Sequence, residues 1–296
     1  MIAGQKRASI AWWGTSVPGR LLAAWNVLKA WLLLAGACAA VGAIGWPLGG
    51  YRLVSLLVFF TILVAAAAYW YGDRVVLGMV GARELPLGEA PTVHATVSSL
   101  AGVAGLPKPK LYFLPDGLPR ALAAGRGPRG GAIAVSRGLL AAAPPAELEG
   151  VLAHELVHIR NRDVVVQTAA VIVAAALVET SRVGGWLQRV LLFVLGPFAA
   201  AIVHLLLSPK REFAADRAAA ALCGSPHGLA DALIRLEQAA ELVEFRANPA
   251  TEPLYTFNPF AEEGLAALFV THPPVGERVR RLRGMDPDWR EKLRAA

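Results

Sequence analysis

Two histidines and a glutamate stand together as His154-Glu155-x-x-His158. On a helix, positions i and i+4 share one face, a turn apart. His154 and His158 can therefore offer two imidazole nitrogens to one metal ion. A zinc ion held there lowers the pKa of its water from about 16 towards about 7. Glu155, beside the first ligand, can take that water's proton as general base. The spacing points to metal-assisted hydrolysis of a peptide carbonyl; an amphipathic helix with two incidental histidines is the competing reading. A third ligand has a natural candidate in Arg211-Glu212-x-x-x-Asp216. Glu212 and Asp216 are again i and i+4, so Glu212 can complete the metal set while Asp216 accepts an N–H from a ligand histidine. Taken alone, the two acids could also be a solvated pair offset by Lys210, Arg211 and Arg217.

These side chains need helices to carry them. Pro144-Pro145-Ala146-Glu147 reads as a helix start, with proline at the entry and an acid in the first turn. Leu148, Val151, Leu152, Leu156 and Ile159 give that helix its apolar faces. Pro209 suits the entry of a second helix, and the alanines after it are strong helix formers. Residues 92–104 read as a helix. Residues 110–114 and 131–136 read as short strands, with the glycine-rich segment 126–131 as a hairpin tip between them. That glycine cluster lacks the Gly-Lys-Ser/Thr of a phosphate loop. The strand 131–136, including Ile133, Ala134 and Val135, could act as an edge strand that pairs with an extended substrate; an ordinary core strand is the other reading. Residues 229–247 form an amphipathic helix, 248–260 a loop, and 277–283 a basic helix.

Hydrophobic residues make up 55% of the 296 and charged residues only 17%, which is rich for a soluble domain. The net charge of +7 comes from scattered or flanking basic residues. No basic block interleaved with aromatics suggests a nucleic-acid groove, so nucleic acid is not an expected partner. Two cysteines, Cys38 and Cys223, do not make a disulfide framework or a Cys-rich metal site. One apolar run covers 21–46, interrupted by Asn26 and Lys29. A second, 53–71, has no charge and is long enough for about 28 Å of helix. Trp46 and Tyr69-Trp70-Tyr71 suit the lipid–water boundary. Residues 47–52 are the turn between two antiparallel spans. Lys6, Arg7 and Arg20 precede the hairpin and Arg74 and Arg83 follow it, against Arg52 alone in the turn, which places both outer flanks in the cytoplasm. A third run, 164–178, and a fourth, 190–207, which holds His204, read as a second membrane hairpin in preference to a pair packed on the domain. The expected organisation is a cytoplasmic segment 1–20, a transmembrane hairpin 21–72, a first peptidase part 73–163, a second hydrophobic hairpin 164–207, and a second peptidase part 208–296.

Four features occur in order: His154-Glu155-x-x-His158, the hydrophobic pair, Arg211-Glu212-x-x-x-Asp216, and Thr271-His272-Pro273-Pro274 with Glu277-Arg278. Together they resemble the HtpX membrane zinc peptidases, relatives of the CAAX prenyl proteases, over nearly the whole chain. The resemblance implies a mainly α, multi-pass membrane protein with a gluzincin-type zinc peptidase domain of helices and a small β-sheet. It implies a cytoplasm-facing site in the bacterial inner membrane and endoproteolysis of misfolded membrane proteins in quality control. By position, His154, His158 and Glu212 correspond to the ligands of a single Zn2+, Glu155 to the general base and Asp216 to the carboxylate behind a ligand histidine. His272 and Arg278 correspond to the histidine and arginine that assist near the metal or the transition-state oxygen. Many family members carry Asn-Ala-Phe-Ala after the first strand, the asparagine lying near the substrate backbone. Here Arg120 stands in that place, before Ala121-Leu122-Ala123, so substrate binding is where this chain departs.

The leading expectation is therefore a zinc metalloendopeptidase acting on unfolded polypeptides at the bilayer. An intramembrane protease would need the motif inside a span, but Glu147, Glu149, Arg160, Arg162 and Asp163 surround it. A non-catalytic membrane adaptor keeping zinc for structure would need a permanent fourth ligand, with His272 as the candidate.

Overall fold

The structure is a computed structural model, and it describes residues 19–180, 185–186, 209–242 and 273–288. Helix α1, Gly19–Met79, is broken into two arms at Gly49 and Gly50. Gly50 takes φ 58° and ψ −156°, a conformation that L side chains rarely adopt. Two stretches are long and apolar enough to cross a bilayer, Ala23–Ala43 and Gly45–Met79. Both outer ends return to the same body: Asn26 hydrogen-bonds the start of a later helix, and Val76 and Leu77 are buried against the sheet. The two arms thus run back on each other as a hairpin. Past the break the second arm runs from residue 51 to Met79, about 44 Å of helix, against a hydrocarbon core of about 30 Å. Trp31, Trp46, Tyr51, Phe59 and Trp70 are exposed along the arms, the side chains a lipid phase would cover.

The sheet contains β1 (Arg83–Glu84), β2 (Lys110–Leu114), β3 (Ala121–Gly125) and β4 (Gly131–Ser136), in the order β1-β2-β4-β3. Strand β2 runs parallel to β4, while β1–β2 and β3–β4 are antiparallel. Two expectations change here. First, β4 is not an edge strand. It lies between β2 and β3, with Ile133 paired to both Leu111 and Ala123. Both sides of its backbone are engaged, so Ile133, Ala134 and Val135 cannot pair with an extended substrate; among the described residues the edge strands are β1 and β3. Second, the 126–131 tip joins β4 to β3, not to β2. The sequence Ala-Leu-Ala-Ala-Gly lacks the β-branched and aromatic residues that advertise a strand. Its strand state comes from pairing with β4 and from complete burial.

Alternation along β3 and β4 separates two apolar layers. Leu122, Ala124, Ala132 and Ala134 face Val76 and Leu77 of α1 and Val171 of α5 (Asp163–Thr180). Ala121, Ala123, Ile133 and Val135 face the main core, built around α4 (Pro145–Arg160). That core also takes in α2 (Pro91–Ala104), α6 (Pro209–Cys223), α7 (His227–Leu242) and α8 (Val275–Arg283); α3 (Arg137–Ala142) caps β4, its N–H at Leu139 bonding Ser136 Oγ. The sheet is therefore a partition between the end of α1 with α5 and the helical body.

Helix α4 is enclosed along most of its length. Val151, Leu152, Leu156, Val157 and Ile159 are buried, each contributing on the order of 1.5–3 kcal/mol. Its crossing with α7 is backbone against backbone: a Cβ at Gly150 would lie 2.6 Å from the Leu229 nitrogen, and one at Gly228 only 2.2 Å from the Ala146 oxygen. In α7, Leu229, Leu233 and Leu236 are buried as the amphipathic pattern predicts. Of the third apolar run, Val164, Val166, Ala170 and Val171 are buried beside α1 and the sheet. The fourth apolar run, 190–207, with His204, the flank Lys6 and Arg7, the loop 248–260 and His272 lie outside the described residues.

Candidate metal centre

His154 and His158 come from the C-terminal half of α4, and both are buried. Their rings stand at 89° to each other, centroids 4.6 Å apart. Their Nε2 atoms are 3.1 Å apart. Glu212, from the first turn of α6, is also buried and faces both: Oε2 is 3.5 Å from His154 Nε2, and Oε1 is 3.6 Å from His158 Nε2. Two ligands each about 2.0–2.1 Å from a tetrahedral ion would be separated by about 3.3 Å. The triangle of 3.1, 3.5 and 3.6 Å fits a zinc ion, and two imidazoles with a carboxylate are a donor set zinc accepts.

Each ring has a carboxylate behind it. Asp216 Oδ1 lies 3.0 Å from His154 Nδ1, the partner expected from the i, i+4 spacing on α6. Asp163 Oδ2 lies 2.8 Å from His158 Nδ1, and sequence reasoning missed that role. A signal existed, since Asp163 sits five residues past His158, but only the turn at Asn161–Arg162 brings it under the ring. Arg162 takes φ 59° there, turning the chain sharply from α4 into α5. With both Nδ1 atoms facing carboxylates, the protons belong on Nδ1, and both Nε2 lone pairs point into the triangle.

Arg278 of α8 reaches the same centre. It is fully buried and grips Asp216 with two hydrogen bonds, Nε to Oδ2 at 2.8 Å and Nη2 to Oδ1 at 2.6 Å. Its Nη2 is also 3.5 Å from His154 Nε2. Val275, Arg278 and Leu282 are the inward residues of α8, while Arg280 and Arg281 face out. Glu155 is buried next to His154, close enough for its charge to support that of Arg278.

The electrostatics favour positive charge in the triangle. Burial opposes charging His158, but Glu212 and the Asp163 hydrogen bond outweigh it and lift the ring to about 10. His154 also moves up; burial is again the opposing effect, and Asp216 and Glu212 overcome it. Burial would raise Asp216, yet Arg278 holds it at about 2. A carboxylate held in its charged state behind a metal-facing nitrogen suits a divalent cation.

Arg120, buried just before β3, pairs through Nη2 with Asp116 Oδ2 at 2.6 Å. Its backbone N–H donates to Ser136 Oγ and its carbonyl accepts from Ser136 N. That pins the start of β3 to the end of β4.

A buried metal-ready triangle on a body carried by apolar helices is the equipment of a membrane metalloprotease. Residues 88–286 match Peptidase family M48, and the chain belongs to that family. Within it the relatives are of the HtpX type. A "Protease HtpX homolog" of Pelotomaculum thermopropionicum is 39% identical over 88% of this chain and 99% of its own length. One of Acidiphilium cryptum is 40% identical over 88% and 96%, and one of Pyrococcus abyssi 38% over 86% and 94%.

Proposed function

We propose that this chain is a zinc-dependent endopeptidase holding one Zn2+ through His154, His158 and Glu212, and that it cuts misfolded membrane proteins at the cytoplasmic face of the inner membrane. The observation that carries the chemistry is the buried triangle of the two Nε2 atoms and the Glu212 carboxylate. When bound, zinc supplies a Lewis acid and an acidified water at neutral pH. Glu155 takes the proton from the attacking water and returns it to the leaving amine. Asp216 and Asp163 hold the rings by Nδ1 so that Nε2 faces inward. Arg278 anchors Asp216 and sets positive charge beside His154 Nε2, where it can meet a developing oxyanion. The resemblance of Thr271-His272-Pro273-Pro274 to the family motif supports an assisting role for His272. Main-chain pairing with an extended substrate would suit an enzyme that accepts unfolded sequences broadly. Cytoplasmic orientation rests on the basic flanks Arg20, Arg74 and Arg83, and the multi-pass arrangement on the hairpin of α1 and the apolar runs after α4.

Substituting Glu155→Gln keeps the ligands and removes the base. The purified variant in detergent is expected to retain zinc and to lose about 10²–10⁴-fold in casein cleavage. Equal cleavage by wild type and variant would reject the enzyme and leave the structural-zinc adaptor.

A further inference from the structure

Asn26 is a polar residue in the first apolar arm, within the stretch Ala23–Ala43. A carboxamide on a membrane-length helix has to find partners or pay for desolvation. Its neighbours on the arm, Trp25, Leu28 and Leu32, are exposed, but Asn26 is 5% exposed. Its Nδ2 donates to Asp163 Oδ1 at 2.7 Å and to the Asn161 carbonyl at 3.1 Å, which uses both amide hydrogens. The opposite oxygen of the same carboxylate, Asp163 Oδ2, holds His158 Nδ1. Arg211 is the other group at this point, with Nε 4.0 Å from Asp163 Oδ1 and Nη2 3.5 Å from Glu212 Oε1. Lys29, one turn on from Asn26, lies within electrostatic reach of Asp163 and Arg211.

We infer that Asn26 is a positioning residue of the metal centre: it orients Asp163, Asp163 orients His158, and the first membrane arm is thereby a working part of the zinc site. The inference rests on the zinc reading above and deepens it. A carboxylate with only one oxygen engaged can rotate about its last torsion. Asn26 fixes the second oxygen, so the ring behind it keeps its aim. Undocking of the arm would loosen zinc without touching a ligand.

The test uses the full chain in detergent, with zinc affinity by chelator competition and the visible absorption of the Co2+-substituted protein. Asn26→Leu keeps the volume and removes both donors. It is expected to weaken zinc about tenfold and to shift the Co2+ bands, while Leu32→Ala, on the outward face of the same arm, changes neither. In an Asp163→Ala background the Asn26→Leu effect should vanish, because its route is gone. Folded Asn26→Leu protein with wild-type affinity and spectrum overturns the inference, as does an undiminished effect in the Asp163→Ala background. Should Asn26→Leu fail to accumulate, Asn26→Asp, which sets an acceptor against Asp163, is judged by the same two readouts. Wild type that binds neither Zn2+ nor Co2+ would reject the zinc reading itself, a result distinct from a normal wild type with an unaltered variant.

Discussion

The two histidines of the centre are built from different parts of the molecule. His154 is backed by Asp216 of α6 and Arg278 of α8, a buried ion pair wholly within the helical body. His158 is backed by Asp163 at the head of α5 and Asn26 of the membrane arm, a neutral donor on a charged acceptor. The first half is electrostatically stiff. A buried guanidinium and carboxylate tolerate the loss of neither partner, because the survivor is left charged and unsolvated. The second half depends on a contact between the head of α5 and the first arm of α1. The difference teaches that one half secures the fold of the peptidase body and the other reports whether the membrane arm is in place.

The largest effect should come from breaking the stiff half. Asp216→Ala strands Arg278 and is expected to cost about 3–5 kcal/mol in stability, read by thermal unfolding in detergent. The paired change Asp216→Leu with Arg278→Met should be milder than either single substitution in stability, yet still poor in zinc binding. If both halves lose equal stability on losing their aspartate, the contrast fails.

Proton competition sharpens the comparison next. His158 is raised from 6.5 to about 10 in the metal-free centre. A raised histidine stabilises the metal-free fold fully below the unfolded value near pH 6.5, and that contribution is lost as pH climbs through about 10. Zinc must displace the proton, so its affinity moves the opposite way and weakens about tenfold per pH unit per proton released. From pH 8 to pH 6 a loss of about 100-fold is expected for one proton, checked by the dependence of calorimetric heat on buffer ionisation. Asp216 runs on a different scale. It is depressed from 3.8 to about 2, so its stabilisation is present above pH 3.8 and is lost only as pH falls towards 2.

Asp163→Asn should be gentler than Asp216→Ala. It keeps the shape and removes the charge behind His158, and zinc affinity is expected to fall about 10–100-fold with little change in unfolding temperature. The smallest effect is expected at Arg162, which holds φ 59°. Arg162→Gly should relieve the turn and stabilise by up to about 1 kcal/mol. A loss of zinc there would mean that the Arg162 side chain, and not only the turn, supports Asp163.

What could be read from residue order was whatever lies within a turn or two of helix. His154 with His158, and Glu212 with Asp216, are i, i+4 pairs, and 3.6 residues per turn forces each onto one face. The apolar runs announced the arms of α1 for the same local reason, since about 20 apolar residues suffice to cross a bilayer. Spacing along the chain could not decide which strand forms the edge of the sheet. The pairing of β4 on both sides, and the existence of β3 in an alanine-rich segment, depend on partners up to 22 residues away. Nor could it join Asn26 to Asp163 across 137 positions. A hydrogen bond between distant residues exists only once packing has fixed both backbones, and here it took the sheet, α5 and the arm together to aim the second histidine.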